Sequence, residues 1–348
     1  MPLTSRNEIN KRKEIGKRNL GIELLRMILC FRIVLLHYYS SKNIYIINLK
    51  KNRFQVPCFF LISFYFIYPT ISERIHEKFR QRLERLLIPY IVHPLINWII
   101  NNIMFLIIRF NRYKRFLTLN DLLTQIIIGR GIYGVAVLWF HFNLIILTLL
   151  FFITSCILKS YFLFVLQIIA LISYELQYSG INYLYFKQYT ENIWMSIGNI
   201  NETIPIAITG FSLAANNILQ KLIKKRNTNL FYIFLFLYIL SKYKIFFIVK
   251  GFSSPGIKHI FFSSFLFFFF SLIPLEKMNL KIVSFIKNIT KYTQGIYCLH
   301  FLIQYYMKLK FDKNGSFFGC IFLYILSYFF SLIGYRIFSK TKMKFLFI

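Results

Sequence analysis

Apolar runs of about 20 residues, each closed by a short polar connection, recur from Leu20 almost to the last residues of the chain. A hydrocarbon core roughly 30 Å thick takes a helix of about that length to cross. The runs lie at 20–39, 55–71, 86–109, 133–157, 160–178, 202–219, 229–241, 256–275, 292–309 and 317–337. The seventh is short, and Ile245 to Val249 either extends it or forms an interfacial piece. The pattern predicts an all-α fold, a polytopic integral membrane helix bundle of about ten transmembrane helices.

Composition agrees with that reading. Of the 348 residues 57% are hydrophobic and 16% charged, where a soluble domain carries about a quarter charged. Little chain is left for a soluble domain. The expected organisation is a basic cytoplasmic N-terminal segment at 1–19, a transmembrane domain at 20–338 and a short basic cytoplasmic tail at 339–348. The run at 20–39 follows a basic start without a small-residue cleavage site, so it is expected to stay as a helix. The 42 Phe, including Phe267 to Phe270, suit lipid-facing helix surfaces, with Tyr and Trp at the interfaces.

A formal charge of +31 would point to nucleic acid if the cations formed one patch. They stand instead in the short connections, as Lys11, Arg12, Lys13, Lys17 and Arg18 do before the first run and Lys221, Lys224, Lys225 and Arg226 between later ones. That distribution implies a lipid bilayer as partner and no nucleic acid. Under an N-inside arrangement 24 cations face the cytoplasm and 17 the other side, which favours both termini in the cytoplasm of a multi-pass cell-membrane protein. The five cysteines lie singly in or at the edge of apolar runs, which suggests neither a disulfide framework nor a zinc site.

Charged side chains inside a membrane helix are costly and are expected to face the bundle interior or a wet cavity. The first run holds four ionisable groups, Glu23, Arg26, Arg32 and His37. His37 follows Arg26 by eleven positions, which returns to nearly the same helix face about 16 Å along the axis. Glu23 lies one turn before Arg26 and can pair with it. One face therefore lines up an acid, a guanidinium suited to phosphates or carboxylates, and an imidazole suited to proton transfer near neutral pH. The competing reading of His37 is a hydrogen-bonded packing residue. Arg32 points elsewhere and needs a partner of its own.

These residues, Gly21, Ile22, Glu23, Leu25, Arg26 and His37, resemble the opening helix of the acyltransferase 3 family of multi-spanning membrane enzymes. Four more blocks resemble that family in the same order. They are Val56 to Ser63, Arg82-Leu-Glu-Arg-Leu-Leu-Ile-Pro-Tyr90, Leu138-Trp-Phe140 and Gly295-Ile-Tyr-Cys-Leu-His300. The resemblance implies transfer of an acetyl or other short acyl group from a coenzyme A thioester to a hydroxyl of a glycan or lipid-linked sugar acceptor of the cell surface. It implies acyl-CoA, with acetyl-CoA the expected donor, as co-substrate and no tightly bound cofactor or metal. His37 is then expected as general base, Arg26 as holder of donor phosphates or developing charge, and Glu23 as its orienter. Arg82, Arg85, Ser63, Trp139 and His300 are expected to bind substrate.

The chain departs from the family where Phe64 replaces the usual Gly after the serine, and where Arg32 and His141 stand at usually apolar positions. Arg82 and Arg85 also read as ordinary positive-inside anchors, Ser63 as a small residue for close helix approach, and His300 as an interhelical hydrogen-bonding group. His76 reads as solvated, and His93 and His259 as interfacial. A transporter or flippase, or an inactive scaffold, would use the same buried charges without bond chemistry. The oligomeric state leaves no mark in the sequence.

Overall fold

A computed structural model of the chain describes residues 19–38, 54–108, 116–128, 138–178, 194–218, 255–273, 279–310 and 316–348. All regular structure among them is helical. In chain order the helices are α1 (Leu20–Tyr38), α2 (Gln55–Ser72), α3 (His76–Ile108), α4 (Leu119–Ile128), α5 (Leu138–Leu158), α6 (Phe162–Tyr178), α7 (Trp194–Ala215), α8 (Pro255–Leu272), α9 (Leu280–Lys291), α10 (Thr293–Lys310) and α11 (Phe317–Phe338). Short 3-10 turns at Lys159–Tyr161 and Lys342–Leu346 complete them.

Nine of the predicted spans coincide with helices among the described residues, and the span at 229–241 lies outside them. Four helical stretches are both long and apolar enough to cross a membrane: Gln55–Ser72, His76–Ile107, Leu138–Ser173 and Phe317–Phe338. That is fewer than the expected number, and the reason is local. α1 carries three charged residues, Glu23, Arg26 and Arg32, α10 carries Gln, His and Lys, and the described apolar stretches Thr203–Ala215 and His259–Leu272 are shorter than a full span.

The shape of α3 shows how such a bundle is assembled. Leu87, Ile91, Leu95, Ile99 and Ile103 recur every four residues and are all exposed, while Tyr90, His93, Asn97 and Asn101 on the other side are buried. Apolar outside and polar inside is the arrangement a helix takes when lipid is its solvent. At 33 residues α3 is about 50 Å long, well beyond a bilayer core, so its first turns, with Arg82 and Arg85, extend past the predicted start at residue 86.

The largest core cluster packs α2 against α5, α7 and α8 around Phe60, Phe64, Phe151, Phe211 and Phe267, all fully buried. The axes of α2 and α7 come close because Gly210 faces the Leu61 carbonyl, where a Cβ would clash. A second cluster, with Cys30, Val34, Tyr38, Ile296 and Leu323, joins α1 to α10 and α11. Two helices outside the predicted spans have their own logic. α9, capped by the Asn279 side chain accepting from Lys281 N (2.9 Å), buries Val283, Ile286 and Thr290 against the start of α1. α4 is capped through Thr118 and Asp121 and lies against α3.

Candidate active site

The first turn of α1 is fixed before any charge is placed. Asn19 Oδ1 accepts from the backbone N–H groups of Gly21 (2.9 Å) and Ile22 (3.2 Å), satisfying two of the orphan donors of a helix start. Its amide donates to the Ser271 carbonyl (3.0 Å) at the end of α8. Gly21 is required here because a Cβ would overlap the Phe270 carbonyl. With α1 so docked, Glu23 lies inside the bundle, 6% exposed. Its carboxylate accepts from Arg26 Nη1 at 3.2 and 3.4 Å. Arg26 Nη2 donates to Thr293 Oγ1 (3.1 Å), and that hydroxyl gives its own proton to the Thr290 carbonyl (3.0 Å). The guanidinium is held on two sides yet remains about one-third exposed at 33%. It is a fixed cation with N–H capacity left for an anion.

The other end of the same helix carries His37, which is exposed. Its ring lies 5.6 Å from that of His300 and 4.4 Å from that of Phe301. Gln304 Nε2 donates to the His37 carbonyl (2.7 Å), fixing the backbone that bears the ring. His300 is fully buried; its Nδ1 meets the Ile296 carbonyl at 3.1 Å and so carries the proton. His300 Nε2, buried and without a hydrogen bond among the described residues, is then a lone pair inside the bundle. Tyr297 extends the group, 6.1 Å from His300, 6.1 Å from His141 and 5.3 Å from Phe140, ring to ring.

Arg26 meets Thr293 and His37 meets Gln304, so the eleven-residue separation on α1 is repeated on α10. The two helices run parallel and in register through these contacts. Thr293, Tyr297 and Gln304 were not singled out from the sequence. The signal was present, since 293, 297, 300 and 304 share one helix face.

A second guanidinium stands on α3. Arg82 Nη2 donates to Ser63 Oγ at 2.6 Å, so two residues expected from separate sequence blocks come together. Arg85 is exposed, with its guanidinium 5.5 Å from the Phe345 ring centre. Pro89 lacks the N–H that would bond the Arg85 carbonyl, and Gln294 Nε2 supplies a donor there at 3.2 Å. Trp139 is half-buried with its ring against Phe140, and it is Phe140 rather than Trp139 that reaches Tyr297.

The departures from the family pattern resolve individually. Phe64 is fully buried, its ring 4.8 Å from Phe151, filling space between α2 and α5. Arg32 lies over the Phe54 ring at 4.0 Å, a cation–π contact away from the Arg26 face. His141 is 2% exposed and beside Tyr297. His93, read as interfacial, is instead 6% exposed in the middle of α3, because that helix begins ten residues before the apolar run. His76 is exposed, edge-on to Phe152. A cavity of about 500 Å³ lined by Gln167, Pro205, Thr209, Ser212, Asn216 and Ile260 shares none of these residues. Among the described residues no three His, Cys, Asp or Glu gather as a metal site.

Comparison with known proteins gives one finding. A family model described as an acyltransferase domain matches residues 19–336, which takes in α1 through most of α11. No curated protein and no solved structure matches the chain.

Proposed function

The chain belongs to the acyltransferase 3 family and is a membrane acyltransferase, and from that premise we propose that it moves an acetyl or other short acyl group from acyl-CoA to a hydroxyl of a glycan or lipid-linked sugar. The observation that supports this best is the pairing of a fixed, part-exposed guanidinium with an imidazole eleven residues along one helix face. Their separation, about 16 Å along the axis, suits a donor whose phosphates and thioester lie at the two ends of an extended pantetheine arm. Arg26 would hold the phosphates, with Arg82 and Arg85 adding positive charge on α3.

At the other end His37 takes the proton of the acceptor hydroxyl as its oxygen attacks the thioester carbonyl. The C–S bond then breaks, the ester forms, and the imidazolium returns the proton to the leaving thiolate. The neighbouring His300 and Tyr297 orient His37 and the acceptor; the gain from such positioning comes from holding the reacting groups together before reaction. With both termini in the cytoplasm of a cell-membrane protein, Arg26 lies on the donor side and His37 nearer the acceptor side.

The test is release of free coenzyme A, and movement of label from acetyl-CoA to a glycan fraction, by membranes containing the protein. The expected result is transfer by wild type, with loss in His37→Ala and Arg26→Ala. Wild-type membranes that consume no thioester, or turnover indifferent to His37, would leave a transporter or an inactive scaffold as the reading of these charges.

A further inference from the structure

The residues after α11, expected as a short basic cytoplasmic tail, fold back against the bundle. Thr341 Oγ1 donates to the Phe338 carbonyl (3.0 Å) and accepts from Met343 N (3.2 Å), which reverses the chain after α11. The 3-10 turn Lys342–Leu346 then packs against α3 and α11. Leu346 is 1% exposed, and the Phe347 ring stacks on Phe338 at 5.9 Å. Two glycines make room for Phe347. A Cβ at Gly334 would overlap its ring, and one at Gly295 would come within 2.7 Å of its carbonyl oxygen.

The place that this segment fills matters. At its outer end Lys342 Nζ meets Glu84 Oε1 at 2.8 Å, and Phe345 lies under the Arg85 guanidinium. At its inner end Phe347 reaches Gly295, five residues before His300 and about 7.5 Å below it along α10. The segment therefore lies between α3 and α11, from the Arg85 guanidinium to the start of α10 at Gly295, with Phe345, Leu346 and Phe347 in that space. A donor with its phosphates at Arg85 would have to move Phe345 off the guanidinium. Lys344 lies 5.6 Å from the centre of the same Phe345 ring that faces Arg85. The fastening there is weak: the Lys342–Glu84 pair is 69% and 27% exposed, and such pairs contribute little in water.

We propose that the 342–348 segment is a displaceable plug of the donor path, which binding of acyl-CoA must move aside. The proposal rests on the reading of Arg26, with Arg85 beside it, as the phosphate end of the donor path and of His37 as its thioester end. An occluded site lowers apparent affinity by the fraction of molecules that are open. Loosening the plug therefore tightens donor binding without altering the chemistry.

The experiment uses the purified full chain in detergent, with Phe347→Cys reacted with a hydrophilic maleimide in the absence and presence of acetyl-CoA. Wild type gives the background from the native cysteines. The expected result is slow labelling of the free protein and several-fold faster labelling with donor. In parallel, Lys342→Ala is expected to lower the donor KM about fivefold at unchanged kcat, by raising the open fraction. This second variant sits on the exposed side of the segment and keeps the test sound if Phe347→Cys misfolds. Glu84→Cys and Lys342→Cys joined by a short cleavable cross-linker should abolish turnover until the link is cleaved. Turnover that depends on His37, together with labelling and KM indifferent to donor and to Lys342→Ala, overturns the plug and leaves the acyltransferase reading intact. Absence of thioester turnover in wild type, Lys342→Ala and the cleaved cross-link alike overturns the donor reading, and the plug with it.

Discussion

The two ends of the α1–α10 pair use the same spacing and are finished in different ways. At the arginine end the charges are tethered by protein partners, while about one-third of the Arg26 side chain stays open. Glu23 faces Arg26, Arg26 faces Thr293, and Thr293 passes its own proton to Thr290. At the imidazole end the backbone is fastened, through Gln304 to the His37 carbonyl, while His300 Nε2 is buried with no hydrogen bond among the described residues. A buried polar atom left without a partner costs free energy unless something in the functional state meets it. The difference teaches a division of labour: the first end is a preorganised anion holder, and the second keeps proton-accepting capacity for a transient visitor.

The sharpest way to break this comparison is at His37. His37→Ala should lower acyl transfer by roughly 10²–10⁴-fold, the usual loss on removing a general base. Because His37 is exposed and contributes rings rather than core volume, thermal stability should change little. A matching fall in melting temperature and activity would instead make it a packing residue. The next largest effect belongs to the arginine end. Arg26→Ala removes charge-assisted hydrogen bonds worth about 1.5–3 kcal/mol, so donor KM should rise roughly 10- to 100-fold with a smaller change in kcat. It also leaves the Glu23 carboxylate buried and unpaired, so stability should fall as well, unlike the His37 variant. Arg26→Lys keeps the charge without the fork and should recover only part of the affinity.

Much of this was legible in the sequence, and the limits have physical causes. Glu23, Arg26 and His37 could be placed on one face because helical periodicity is fixed by the backbone. Ser63 and Arg82 could be named singly, but their 2.6 Å contact could not, since it joins α2 to α3 through tertiary packing. Phe64 stood out as a departure from the family pattern and fills space against Phe151, a compensation that only the partner helix reveals. The start of α3 was missed by ten residues because hydropathy marks where a helix meets lipid, whereas the helix itself continues into water. That error carried His93 from the interior to the interface. The tail was read from its lysines, while its alternate apolar residues decided where it went.

Thr293 gives the finest cut, because it belongs to the arginine end without carrying charge. Among the described residues, its hydroxyl is the neutral group that accepts from the second guanidinium nitrogen of Arg26. Thr293→Val keeps the shape and β-branching and removes only that acceptor and its bond to Thr290. The loss, near 1 kcal/mol, should raise donor KM about fivefold and leave kcat within about twofold, since the base at His37 is untouched. Thr293→Ser restores the hydroxyl and should restore KM. If Thr293→Val lowers stability while KM stays constant, the threonine only ties α9 to α10, and Arg26 is oriented by Glu23 alone. If kcat falls as much as affinity, the two ends are coupled through α10, and the arginine end does more than hold the donor.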